Sequence, residues 1–108
     1  MSFFSNIFGG AAFSTEEEIK SVLKEDHLIM DVRTEQEFAQ GHIAGAVNVP
    51  VHMVGHYIED IKKQKKKIIL YCRSGARASS ALSLLQRNGI EAYNAGGIMQ
   101  LQSIINQQ

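Results

Sequence analysis

The sequence predicts an α/β domain, a mainly parallel central sheet flanked by helices. Two apolar runs, His27–Val32 and Ile68–Cys72, are nearly continuous rather than alternating, as in strands buried on both faces of a parallel sheet. Helical patterns lie between the strand-like runs, so the two kinds of element alternate along the chain. The segments joining them are short. With 108 residues there is room for one hydrophobic core, and 44% apolar against 20% charged residues is ordinary for a chain that folds.

Residues 1–12 read as an N-terminal tail and residues 13–108 as the domain. Phe3, Phe4, Ile7 and Phe8 share one helical face, a pattern that suits docking on a partner or a membrane surface. The plainer expectation is a tail lying on its own domain. Ala11–Phe13 is a candidate first strand. Ser14 with Glu17 reads as a capping box, starting a helix through Ile19, Val22 and Leu23. Glu16, Glu17 and Glu18 then occupy its first turn, where carboxylates favour the dipole.

After the strand at His27–Val32, Thr34 with Glu37 forms a second capping box, and the short helix through Phe38 stops at Gly41. Ala46–Val49 reads as a short strand ended by Pro50. Val54, Tyr57, Ile58 and Ile61 predict a helix from about Val54 to Lys63. Beyond Cys72, the run Ala78, Ala81, Leu82, Leu84 and Leu85 predicts a helix that stops at Asn88-Gly89. Ile90–Asn94 is the last predicted strand. Gly96-Gly97 turns the chain into an amphipathic helix with Ile98, Leu101, Ile104 and Ile105.

Charge excludes some functions. Eleven basic residues balance eleven acidic ones, so no net field draws nucleic acid or an anionic membrane. Lys62, Lys63, Lys65, Lys66 and Lys67 form a basic run, but they flank a helix end and a strand start and lack interleaved aromatics, so a solvated face is expected. No apolar run reaches the ~20 residues of a membrane span. A single cysteine rules out an intramolecular disulfide and a cysteine-rich zinc site, and a reactive thiol fits a reducing, cytoplasmic setting. His27, His52 and His56 show no metal-ligand spacing.

That cysteine, Cys72, ends a buried strand and precedes a loop of small and cationic residues at a helix N-terminus. Unpaired amides there converge on an anion, and together with Arg73 and Arg77 they favour a thiolate over a thiol. In open α/β sheets ligands bind beyond the carboxyl ends of strands. Neighbouring strands would bring Asp31 and Arg33 to the same rim as Cys72. The plain alternative is an inert buried cysteine.

Three motifs together resemble the rhodanese family. The first is Asp31-Val32-Arg33-Thr34-x-x-Glu37-Phe38-x-x-Gly41-His42-Ile43-x-Gly45-Ala46-x-Asn48-Val49-Pro50. The second is Tyr71-Cys72-Arg73-Ser74-Gly75-Ala76-Arg77-Ala78, similar to the family's active-site loop, and the third is Ala95-Gly96-Gly97-Ile98. The resemblance implies a rhodanese-like three-layer fold and a sulfurtransferase in which Cys72 attacks the outer sulfur of thiosulfate and becomes a persulfide. A thiol, protein or cyanide acceptor then removes that sulfur. It further implies that the amides of Arg73, Ser74, Gly75, Ala76 and Arg77 cradle the anion, that the two guanidiniums attract the donor, and that no cofactor or metal is needed.

Loop length disfavours the nearest rivals, a cysteine phosphatase or arsenate reductase. Phosphatases use Cys-x5-Arg, whereas four residues separate Cys72 from Arg77. Asp31 and Arg33 are expected to brace the rim, with Arg33 near Glu37, and His42 is expected to be structural. The family commonly carries a tryptophan after the glycine pair; Leu101 stands there, which alters the packing of the last helix. A non-catalytic partner-binding module or sulfur carrier, docking through Phe3–Phe8, is the alternative of a different class.

Overall fold

The computed structural model describes residues 13–108. Four parallel strands in the order β2-β1-β3-β4 form the sheet. They are β1 (His27–Asp31), β2 (Val47–Asn48), β3 (Lys67–Cys72) and β4 (Ala92–Gly97). In β3 every residue after Lys67 is buried, because helices cover both faces of the sheet. The continuous apolar run is therefore what this position demands.

One face carries a 3₁₀ helix (Val51–Tyr57), α3 (Ile58–Gln64) and α4 (Ala76–Arg87), with Val54, Ile58, Ile61, Ala81 and Leu85 packed on Met30, Ile68 and Leu70. The other carries α1 (Glu16–Leu23) and α5 (Ile98–Asn106), with Ile19, Val22, Leu101 and Ile104 against Ile29, Ile69 and Tyr71. The short α2 (Glu35–Ala39) joins β1 to β2. Leu101 is fully buried in the second layer. Among the described residues no helix is long and apolar enough to cross a membrane.

Several expectations need correction. The first helix is capped by Thr15, not Ser14, and its box partner is Glu18, not Glu17: Thr15 Oγ1 accepts from Glu18 N at 3.1 Å, and Thr15 N donates to Glu18 Oε1 at 2.8 Å. Ser14 is committed to β4, donating its N–H to Asn94 O at 2.9 Å and accepting Asn94 N on its hydroxyl at 3.1 Å. Of the expected strand at Ala11–Phe13, positions 11 and 12 lie outside the described residues and Phe13 is not in a strand. The helix expected from Val54 begins instead as the 3₁₀ segment at Val51. The expected strand at Ala46–Val49 shortens to Val47–Asn48.

The last strand is displaced to Ala92–Gly97, so Gly96-Gly97 ends a strand rather than forming a turn. Ile90 is taken by the end of α4: its N–H donates to Leu85 O at 3.0 Å while Gly89 N donates to Gln86 O at 3.0 Å. Gly89 sits at φ 75°, so this is a Schellman ending, and the buried Ile90 supplies its hydrophobic contact. The lysine run is largely ion-paired. Lys67 reaches Glu25 at 2.7 Å and Glu91 at 3.3 Å, Lys66 reaches Asp26 at 3.9 Å, and Lys62 reaches Glu59 at 3.9 Å.

Candidate functional site

Parallel strands put all four carboxyl ends on one edge, and the central strand β3 delivers Cys72 there. Its side chain alternates with that of Tyr71, so it points to the α4 face and is only 1% exposed. The chain then turns through Arg73, Ser74 and Gly75 into α4. Gly75 is the N-cap of that twelve-residue helix, at φ 102°, where a side chain would be strained, and no side chain caps the helix. Its N–H points back at the sulfur, with Gly75 N to Cys72 Sγ at 2.9 Å. Arg73, Ser74 and Ala76 are exposed above it, and Arg77 is half-buried. The sulfur thus faces an inward amide at an uncapped helix start.

Glycines let the loop lie flat against its neighbours. A Cβ on Gly97 would collide with the Arg73 carbonyl oxygen, and one on Gly75 would run into the Phe13 ring and stand 3.2 Å from Gly96 Cα. Asn94, fully buried on β4, donates its amide to Gly75 O at 3.1 Å and accepts Gly96 N at 2.8 Å. Sequence reading passed over Asn94 as one residue of a strand. The signal was its amide within an otherwise apolar strand next to the glycine pair.

The cations sit differently from expectation. Arg33 does not approach Glu37; it folds back on Asp31, with Nε at 3.0 and 3.1 Å and NH2 at 2.7 Å from the carboxylate, and NH2 also donates to Gly41 O at 2.6 Å. A partner two residues away forms this pair with less loss of chain freedom than a distant one. The Asp31 contact raises the Arg33 pKa, against the opposing effect of burial. The Arg33 guanidinium also lies 5.7 Å from the Tyr71 ring centroid. Burial, then the Asp31 carboxylate, push the Tyr71 phenol up to about 12, so it stays neutral and accepts Ile43 N at 3.0 Å. Asp31 and Cys72 reach the same edge, but Asp31 lines up with Tyr71 and hence faces the layer opposite the thiol.

Glu37 pairs instead with Arg77. NH1 donates to Oε1 at 2.6 Å and NH2 to Oε2 at 3.1 Å, a two-pronged bridge from the cap of α2 to the start of α4. The Arg77 hydrogen bonds, followed by the Thr34 amide, pull the Glu37 carboxyl down to about 2. Arg77 in turn has its pKa raised, first by the Glu37 hydrogen bonds and against the opposing effect of burial. Part of this guanidinium is therefore occupied, and Arg73 is the more exposed cation of the loop. His42 stacks on Phe38 with ring centroids 3.7 Å apart, and its Nδ1 lies 2.9 Å from Phe38 O. Among the described residues no three His, Cys, Asp or Glu side chains are gathered to hold a metal ion.

A buried thiol at the carboxyl edge of a parallel sheet, with the Gly75 amide on its sulfur and a cation-bearing loop above it, defines an α/β protein with a cysteine loop at a helix start. The Rhodanese-like domain family matches residues 15–103, and the chain belongs to that family. It is 40% identical over 65 residues to a protein named Sulfurtransferase from Allochromatium vinosum, covering 60% of each chain. It is 38% identical over 84 residues to an uncharacterized Bacillus subtilis protein, YqhL, covering 77% of this chain and 65% of that one. The matches thus span 60% and 65% of those two relatives' lengths. Among solved structures it resembles a rhodanese with anions from E. coli, at 28% identity and a TM-score of 0.63, covering 68% of this chain and 89% of that one.

Proposed function

We propose that this domain moves sulfane sulfur through a persulfide on Cys72. The observation that carries the reading is the Gly75 amide held 2.9 Å from Cys72 Sγ at the uncapped start of α4. In the first step the Cys72 thiolate attacks the outer sulfur of thiosulfate. A new S–S bond forms, the bond between the two thiosulfate sulfurs breaks, and sulfite leaves with its electron pair. The persulfide extends the side chain by about 2 Å, toward the amides of the loop from Arg73 to Arg77. In the second step a thiolate (or cyanide) attacks the outer sulfur, the S–S bond breaks, and the Cys72 thiolate is restored.

Each residue has a task in this cycle. Cys72 is the nucleophile, and the loop amides hold the anionic sulfur. Arg73 draws the doubly charged donor, Arg77 adds its field while fixing the loop through Glu37, and Asp31 with Arg33 brace the rim from the opposite face. The donor approaches over the exposed Arg73 and Ser74, since the thiol itself is shielded. A small anionic donor and a thiol or protein acceptor are the partners this chemistry requires.

A second reading, a partner-binding module or sulfur carrier, is favoured by one surface. Phe13 is 52% and Met99 80% exposed beside a cavity of about 500 Å³ that begins at the Phe13 ring resting on Gly75. The apolar positions Phe3, Phe4, Ile7 and Phe8 lie outside the described residues. Turnover separates the readings. Thiocyanate formation from thiosulfate and cyanide, absent in Cys72→Ser, is the expected result for the enzyme; no turnover by the intact protein contradicts it.

A further inference from the structure

We propose that Asn94 is a positioning residue for the Cys72 thiol, acting through Gly75. Asn94 stands opposite Leu70 in the sheet, on the face where Ile68, Leu70, Cys72 and Ala92 are all apolar. A buried amide at such a position costs stability unless both of its ends are hydrogen-bonded. Both are, and both bonds go to backbone around the thiol loop: Nδ2 to Gly75 O at 3.1 Å and Oδ1 from Gly96 N at 2.8 Å. The two backbone groups also fix which way the amide points, since a carbonyl needs a donor and an N–H needs an acceptor.

Gly75 is where this matters. Its N–H reaches Cys72 Sγ at 2.9 Å, and its carbonyl is held by Asn94 and by Ser79 N at 2.9 Å. Between those two peptide planes lie only the torsions of a glycine at φ 102°, the softest hinge in the loop. Holding the carbonyl narrows how far this hinge can swing the amide off the sulfur. Ser14 completes the chain of bonds from outside, gripping the Asn94 backbone with both its N–H and its hydroxyl, while the Phe13 ring covers Gly75. Asn94 touches neither sulfur nor donor; it sets the amide that does.

The proposal rests on Cys72 being the reacting group, and its test reads the thiol rather than sulfur transfer. The rate of Cys72 alkylation by iodoacetamide is measured against pH in the full chain, for wild type, Asn94→Leu, Asn94→Ala and Ser14→Ala, each with its melting temperature. Asn94→Leu removes both bonds. Asn94→Ala removes them as well, without adding a charge or a branched side chain beside the thiol loop. Both are expected to displace the alkylation profile to higher pH, so that the rate on its low-pH limb falls about tenfold, from loss of a hydrogen bond to a charged sulfur. Ser14→Ala loosens Asn94 only indirectly and is expected to shift in the same direction by about twofold.

A purely structural asparagine would lower the melting temperature and leave the profile in place. Profiles that superimpose on wild type in the variants that fold overturn the proposal. If Asn94→Leu does not fold, Asn94→Ala carries the same decision. Displaced profiles with no persulfide in wild type would retain Asn94's role and remove sulfur transfer.

Discussion

At the scale of single residues, the site depends on which charge meets which. Glu37 caps α2 and also clamps Arg77, and its carboxyl is held at about 2 chiefly by that guanidinium. A folded value below the ordinary 4.5 stabilises the fold fully above about 4.5, and that contribution is lost as pH falls toward 2. Melting temperatures of wild type and Glu37→Gln from pH 7 to pH 2 are therefore expected to converge at the acid end, with wild type higher at neutral pH. Parallel curves would mean the pair contributes nothing. The pairing itself was not legible in the sequence: Glu37 and Arg77 are 40 positions apart, and Arg33, four positions from Glu37, is an equally good cation that bonds Asp31 instead. Cys72 and its loop were legible, because strand end, small residues and helix start are local patterns.

At the scale of elements, the β3-loop-α4 unit is a hairpin of backbone pressed onto β4. Gly97 allows that approach, since a Cβ would meet the Arg73 carbonyl oxygen, a rigid neighbour. Gly97→Ala is expected to cost about 1–3 kcal/mol of stability from overpacking and to slow Cys72 alkylation, measured by denaturant unfolding and by alkylation at pH 7. Wild-type values for both would show that the loop yields without consequence. Element identity was largely readable from periodicity and caps, but ends were not. Ile90 looks like a strand residue by composition, yet the Schellman ending of α4 claims it. Ser14 looks like a cap, yet β4 claims it and Thr15 takes over. In both cases a hydrogen bond to another element outweighed the local preference.

At the scale of the whole molecule, the order β2-β1-β3-β4 places β3 inside the sheet and packs both its faces, so the thiol grows from the best-supported strand. Continuous apolar runs made that burial readable in advance. The division of the rim was not: β1 and β3 lie in register, so Asp31 and Tyr71 face α1 and α5 while Cys72 faces α4. The Asp31–Arg33 pair and the thiol are thereby separated by the thickness of the sheet. The most direct measurement is the intact mass of the purified chain after exposure to thiosulfate and removal of excess donor. A persulfide on Cys72 predicts a gain of one sulfur atom, reversed by a thiol and absent in Cys72→Ala. An unchanged mass in a protein whose Cys72 still alkylates would contradict it.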